Sequence, residues 1–467
     1  MNINKETKIT IYLLLFLLAF AVVPRVMLAD HCLWVDEARD LFIARNFVED
    51  GSLTTPAGQE LMQHPFMFYA IIGASFLFGV SQTSATFAVA ICSLITIVAT
   101  FFIGKEIANK WVGFGAGALL SAHYLFLFYS VRILNNIPHT MFVTITFLFF
   151  VMFVKRKENK FLYLSFLFAG CAVLTRITSF FLPVVLVGYV FWENKYKLKS
   201  VFSKKMLISY ATFAGIFATW LLRNLIVTGT LLDLEIWVKH VVDAGIDTHP
   251  WYYYLSNFFG IYTWLFGLLF VLGAILFFVS KSKYKVLLSA WFLSYFIILS
   301  NVSVKVPRYL NPTLPVMAII IAFGTYALFN AIKSTKPNAN WYAVGLLIVV
   351  ASYLLFVGYT STAQKTQGFC GFEEISDQLK GTIYENRTIY AGSRNQMAWY
   401  LNQQVNTVPE KEELVSEIKK GDLIEADIWE RTQKDYIFDF VANSSAFLPI
   451  AAHPVNNPQI IVYERII

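Results

Sequence analysis

Residues 9–40 read ITIYLLLFLLAFAVVPRVMLADHCLWVDEARD, and their sharp change of character decides the fold. The run 9–28 is apolar and long enough to cross roughly 30 Å of hydrocarbon as a helix. Behind it comes Trp34-Val35-Asp36-Glu37-Ala38-Arg39-Asp40, a hydrophilic stretch leading into a short amphipathic run that ends at Gly51. A short basic lead, Lys5 and Lys8, precedes the apolar run and no A-x-A-like cleavage site follows it. A retained first span is therefore expected, not a signal peptide.

The rest of the chain has the same character. Of 467 residues, 57% are hydrophobic, 17% aromatic and only 14% charged, with a mean hydropathy of +0.58. A soluble domain carries about 25% charged residues, so this is a polytopic membrane protein. The net charge of +7 would suggest nucleic acid in a soluble chain. Here most Lys and Arg lie in short loops between apolar runs, where they control topology, and no nucleic-acid partner is expected. Cys32, Cys92, Cys171 and Cys370 show no CxxC or metal spacing, and two sit in apolar segments, which predicts no disulfide framework.

Apolar runs of spanning character recur at 83–104, 111–130, 138–154, 161–176, 178–192, 206–228, 256–280, 286–302, 309–331 and 341–360. Residues 66–78 form a shorter run, suited to a re-entrant or interfacial helix. If that run does not cross and the N-terminus is cytoplasmic, the loops holding Lys105/Lys110, Lys155 to Lys160, Lys195 to Lys205, Lys281 to Lys285 and Lys333/Lys336 all face the cytoplasm. Crossing would put every one of them outside. The expected protein is thus multi-pass in the cell membrane, with eleven spans, an external short helix at 65–79 and an external C-terminus.

Composition shifts at about residue 361. The tail has a charged helical stretch at 410–420 and strand-like runs at 388–391, 422–426 and 459–463, which read as a small extracytoplasmic α/β domain, 361–467, following a transmembrane module, 1–360, whose first external loop is 29–65. Asn386-Arg387-Thr388 and Asn443-Ser444-Ser445 in this tail are glycosylation-type sequons.

The external face collects the candidate site. Asp36 and Glu37 open a predicted helix in which Leu41, Ala44 and Val48 share one face while Glu37, Asp40 and Glu49 face water, with Gly51 closing it. Asp36 is either an N-cap or a catalytic carboxylate, and both readings stay open. Arg25, Arg132, Arg176, Arg223 and Arg308 fall near external ends of spans, against the rule that orders the other basic residues. Each alone is a snorkelling anchor; together they suit a lipid phosphate, which guanidinium grips in a bidentate manner. His64 alone reads as an interfacial histidine, and its place before Pro65 at a helix start offers the other reading, a phosphate or substrate contact. The loop 229–256, with Asp233, Glu235, Trp237, Lys239, His240, Asp243, Asp247, His249 and Trp251, is either an interface belt or a sugar-stacking surface.

Taken in order, Trp34-x-Asp36-Glu37-Ala38, His64-Pro65, Tyr129-Ser130-x-Arg132, Leu174-Thr175-Arg176 and Arg308-Tyr309-x-x-Pro312-x-x-Pro315 resemble the GT-C glycosyltransferases, in particular the protein O-mannosyltransferases and lipid A aminoarabinose transferases (glycosyltransferase family 39-like). No single motif is specific; the order and topology over the first 360 residues are. The resemblance implies a GT-C-like fold and transfer of a sugar from a polyprenyl-phosphate carrier to a glycan, lipid or protein acceptor on the external face, usually with inversion. It carries the catalytic role onto Asp36 and Glu37, and donor contacts onto His64, Arg176, Arg308 and Tyr309. Where many relatives have a second acid, this chain has Asn136, which can hydrogen-bond or ligate a metal weakly but supplies no charge. Metal dependence and activity itself are left open. A flippase or transporter of lipid-linked substrates, and a catalytically silent lipid-binding relative, are the alternatives.

Overall fold

The computed structural model describes residues 4–61, 64–231, 248–332, 339–365, 368–410, 413–429, 440–441 and 443–467. The sequence-predicted loop residues Asp233, Glu235, Trp237, Lys239, His240, Asp243 and Asp247, and Lys333 and Lys336, lie outside the described residues, whereas His249 and Trp251 lie within them. The chain forms two compact units, one of residues 1–29, 62–68 and 86–362, the other of residues 30–61, 69–85 and 363–467. The C-terminal residues therefore fold together with residues 30–61 and 69–85.

In the first unit every predicted apolar run is helical: α1 (Lys5–Met27), α4 (Gln82–Ile107), α5 (Lys110–Ala122) with α6 (Tyr124–Tyr129), α7 (Asn136–Arg156), α8 (Asn159–Thr175), α9 (Leu182–Glu193), α11 (Lys204–Thr228), α13 (Phe258–Tyr262) with α14 (Trp264–Val279), α15 (Lys285–Ser300), α16 (Leu314–Ile332) and α17 (Ala339–Lys365). Short helices α10 (Leu198–Val201) and α12 (Tyr253–Ser256) lie in connections. Six segments, including α16 with its preceding 3₁₀ turn Pro307–Thr313, are long and apolar enough to cross a membrane; several shorter apolar helices accompany them. Two runs that read as continuous are broken. His123 leaves helical geometry between α5 and α6 and its Nε2 bonds the Tyr262 carbonyl at 3.0 Å. Thr263, at φ +66°, separates α13 from α14. Small residues let helices close up: a Cβ on Gly324 of α16 would come within 2.6 Å of the Gly273 Cα in α14.

The basic loops gather on one face of this unit. Glu106 pairs with Lys155 at 3.0 Å and Arg156 at 3.4 Å, and Lys157 pairs with Glu193 at 2.7 Å.

The second unit holds α2 (Val35–Glu49), most of α3 (Met67–Ser75), α18 (Phe372–Leu379), α19 (Arg394–Leu401), α20 (Leu414–Glu417) and a five-stranded sheet. Its strands are β1 (Ile389–Ala391), β2 (Asn406–Thr407), β3 (Leu423–Asp427), β4 (Phe447–His453) and β5 (Ile460–Arg465), ordered β2-β1-β3-β5-β4. β1 runs parallel to β2 and β3, while β5 is antiparallel to β3 and β4. The three strand-like runs of the sequence are β1, β3 and β5. β2 is too short to show a period and β4 is interrupted by a bulge at Pro449/Ala451. Phe42 of α2 is buried in one core with Phe372, Ile375, Leu379, Met397 and Leu423, which joins α2 to the C-terminal sheet.

A disulfide links Cys32 to Cys370, which corrects the expectation of no such bond. Sequence spacing could not show it, because the partners are 338 residues apart.

Candidate active site

Helix α2 begins one residue after Trp34, whose backbone is extended. The N-cap is therefore Trp34 and not Asp36, which sits with Glu37 in the first turn, where the helix dipole favours negative charge. Glu37 reaches back so that its Oε2 accepts from the Trp34 amide at 2.9 Å, while its Oε1 meets His31 Nε2 at 3.1 Å. It is fully buried. Asp40 is buried too, so neither acid faces water as predicted; the carboxylates turn inward because each finds partners there. Gly51, at φ +78°, follows the helix and its amide bonds the Phe47 carbonyl at 3.2 Å.

Asp36 is the accessible member, with a third of its side chain exposed. Arg39 bridges it to Asp40: Nη1 lies 3.1 Å from Asp36 Oδ1 and Nη2 2.9 Å from Asp40 Oδ1. Burial works against the charge of Arg39, but Asp40 and Asp36 more than offset it and raise its pKa above the ordinary value. Tyr69 donates to Asp40 Oδ1 at 3.4 Å; burial and then Asp40 push this phenol well above its usual range.

The approach to α2 is strapped from several sides. Asn395 Nδ2 donates to the Val35 carbonyl at 3.1 Å and Gln396 Nε2 to the Leu33 carbonyl at 3.4 Å, both from the first turn of α19. Gln82 Nε2 donates to the His31 carbonyl, and Tyr400 donates to Gln82 Oε1 at 3.4 Å. The Arg45 guanidinium lies over Phe42 and Trp399, 4.9 Å and 5.2 Å from their ring centres.

A separate cluster forms in the first unit. Arg176, which caps α8, stands 3.8 Å over the Tyr309 ring. Its neighbours include Arg308, Tyr309 and Tyr254. Asn136 Nδ2 donates to the Arg308 carbonyl at 3.2 Å, and Asn311 Nδ2 donates to the same oxygen at 2.9 Å. Buried beside these, His139, Ser179 and Tyr295 form a hydrogen-bonded chain. Four sequence candidates, Asn136, Arg176, Arg308 and Tyr309, are thus brought together.

The other candidates lie elsewhere. Arg25 is buried, donating from Nε to Ser93 Oγ at 2.7 Å and from Nη1 to the Ala21 carbonyl at 2.7 Å, which ties α1 to α4. Arg132 is fully buried with its guanidinium 5.2 Å from the Phe128 ring centre. Arg223 is half-buried with Nη1 3.4 Å from Asn224 Oδ1, and His64 is half-buried just before α3. His31, Tyr69, His139, Ser179, Asn395 and Gln396 were not anticipated. Intramembrane polar residues are a general signal for His139; for the rest the partners are remote in sequence. Among the described residues no group of three or more His, Cys, Asp or Glu side chains is arranged to hold a metal.

Comparison with known proteins agrees with this architecture. The dolichyl-phosphate-mannose-protein mannosyltransferase family matches residues 63–222, and the Alg9-like mannosyltransferase family matches residues 246–391. An uncharacterized protein of Aquifex aeolicus is 26% identical over 338 residues, and the undecaprenyl phosphate-alpha-4-amino-4-deoxy-L-arabinose arabinosyl transferase 1 of Proteus mirabilis is 25% identical over 349 residues. The matches take in 68% and 70% of this chain, and the chain spans 64% and 62% of the lengths of these relatives. The crystal structure of ArnT from Cupriavidus metallidurans bound to undecaprenyl phosphate superposes with a TM-score of 0.75 at 14% identity, over 96% of this chain and 97% of that one. The oligosaccharyltransferase AglB of Archaeoglobus fulgidus, in complex with an inhibitory peptide and a dolichol-phosphate, gives 0.62 at 11% identity, over 91% of this chain and 70% of its own. The fold is therefore that of a multi-pass GT-C membrane protein with a small sheet-containing unit. Two mannosyltransferase family models thus match separate parts of the chain, and its fold is shared with ArnT.

Proposed function

We propose that the chain transfers a sugar from a polyprenyl-phosphate carrier to an acceptor hydroxyl on the external side of the membrane. The observation that carries this reading is the gathering of Arg176, Arg308 and Tyr309 at one place in the first unit. Guanidinium groups grip phosphate in a bidentate manner, so two neighbouring ones suit a lipid phosphate. Similar proteins of the same fold are bound to undecaprenyl phosphate or dolichol-phosphate, which supports a lipid phosphate as the ligand.

In the proposed reaction the acceptor oxygen attacks the anomeric carbon, the bond from that carbon to the phosphate oxygen breaks, and the lipid phosphate leaves. Asp36 takes the acceptor proton; Arg176 and Arg308 stabilise the charge developing on the phosphate. Glu37 positions Asp36 through the Trp34 amide and His31. A cytoplasmic N-terminus and external C-terminus fit this scheme, since nucleotide sugars stay inside while a lipid carries the donor across. The Cys32–Cys370 disulfide supports an oxidising side for the sheet unit.

The test is transfer from a panel of radiolabelled polyprenyl-phosphate sugars by purified protein in lipid, wild type against Asp36→Asn. Transfer that the variant loses supports the reading. No transfer from any donor by folded wild type, with a broad acceptor pool, counts against it. For orientation, a cysteine placed near Asn395 should react with an impermeant external reagent while one in the 155–160 loop should not; the reverse pattern would overturn the assigned sidedness.

A further inference from the structure

On the face of the first unit that carries the basic loops lie two cavities, of about 400 Å³ and 460 Å³. One is bordered by Glu106, Lys155, Lys283 and Tyr284, the other by Tyr189, Trp192, Glu193, Lys195, Tyr196 and Lys283, so Lys283 serves both. Their size falls in the range of about 300–1,000 Å³ typical of small-ligand sites.

The acids here are engaged. Glu106 holds Lys155 and Arg156, and Glu193 holds Lys157. Lys195 and Lys283 enter no ion pair among the described residues, and the Lys283 ammonium stands 5.2 Å from the Tyr284 ring centre. The backbone supports the same feature. Lys195 and Tyr196 are consecutive non-glycine residues at φ +54° and φ +62°, a conformation that L side chains rarely adopt. It follows the end of α9 and leaves Tyr196 against Phe191, with ring centres 5.5 Å apart. Next along the chain come Leu198 and Phe202, about two-thirds exposed, and just before the Lys283 loop come Phe278 and Val279, also exposed. Cavities with ammonium groups thus adjoin apolar surface that in a membrane faces acyl chains.

We infer that these cavities hold the phosphodiester headgroup of an anionic phospholipid, with Lys195 and Lys283 contacting the phosphate and the acyl chains lying along Phe278, Val279, Leu198 and Phe202. Topology control explains why lysines collect on this face. It does not explain why two of them, without an ion pair among the described residues, border aromatic-walled cavities, one of them in a stretch of positive φ. The apolar margin selects a lipid over a soluble anion, and an ammonium pair disfavours a zwitterionic headgroup relative to one with net negative charge.

The experiment extracts protein from phosphatidylcholine vesicles containing phosphatidylglycerol and counts retained lipid by native mass spectrometry. Wild type should keep phosphatidylglycerol in preference to phosphatidylcholine, and Lys195→Ala/Lys283→Ala should lower that retention about tenfold. Lys160→Ala and Lys281→Ala, on the same face but outside the cavities, should retain it, and glycerol phosphate in solution should not displace it. The charge-preserving Lys195→Arg/Lys283→Arg should also retain it, which separates loss of the site from a folding defect in the alanine variant. No preference in wild type, equal loss in the Lys160 or Lys281 variants, loss in the arginine variant, or displacement by glycerol phosphate would each overturn the inference.

Discussion

The two polar clusters are built on opposite principles. At the start of α2 opposite charges are paired: Arg39 holds Asp36 and Asp40, Glu37 holds the Trp34 amide and His31, and Asn395 and Gln396 hold the backbone that leads in. At Arg176 a charged neighbour has the same sign. The first arrangement joins acids to a cation and exposes one acid; the second sets two cations side by side, which under the proposed function is where a lipid phosphate binds. Carboxylate chemistry needs a rigid, hydrogen-bonded base, while phosphate recognition needs positioned cations.

The largest break in this contrast comes within a single turn of α2. Asp36→Asn should lower kcat about 10²–10⁴-fold with the donor KM near wild type, whereas Glu37→Gln should lower it far less and instead reduce thermal stability. Steady-state kinetics with both variants decides the matter. Equal losses of kcat would mean that the two acids act as one group.

Next in size is the contrast among arginines. Removing a hydrogen bond to a charged group costs about 1.5–3 kcal/mol, so Arg176→Ala and Arg308→Ala should each raise the donor KM by roughly tenfold to a hundredfold. Arg25→Ala should leave KM unchanged and lower the thermal midpoint, because Arg25 holds Ser93 and the Ala21 carbonyl. A KM effect at Arg25 matching that at Arg176 would erase the distinction.

Much of this was legible in the sequence, and the limits have physical causes. Hydropathy located the long helical runs of the first unit, because a helix in lipid must be apolar along its length. It missed the breaks at His123 and Thr263, where single residues bend the backbone without altering mean hydropathy. Asp36 stood out through local composition, and Asn136, Arg176, Arg308 and Tyr309 through an ordered pattern. The inward turn of Glu37 and Asp40 was hidden because their partners His31, Arg39 and Tyr69 are ordinary residues singly. Arg25 and Arg176 look alike in sequence, and only packing separates an internal tie from a cation beside another cation.

The strapping of α2 gives a third effect, on stability and not on turnover. Cys32→Ser with Cys370→Ser should destabilise the second unit by about 2–4 kcal/mol, measured as a lower thermal midpoint, and wild type treated with reductant should match the variant. A reductant effect that persists in the variant would place the sensitivity elsewhere.

The smallest effect concerns a buried acid in the sheet of the second unit. Glu425 on β3 is fully buried; burial and then Asp427 raise its pKa well above the ordinary 4.5, although the Ser393 amide donates to Oε2 at 3.3 Å. Folded protein therefore keeps a proton that the unfolded chain loses above pH 4.5. Stability must fall as pH rises from there toward the folded value, since the native state binds more protons in that window. Glu425→Gln removes the titration while keeping shape and one acceptor. The variant should match wild type near pH 4, where both side chains are neutral, and gain thermal midpoint over it increasingly toward pH 8. A gain independent of pH would show that packing is responsible, and a loss at pH 8 would mean that ionised Glu425 is stabilised in the folded protein.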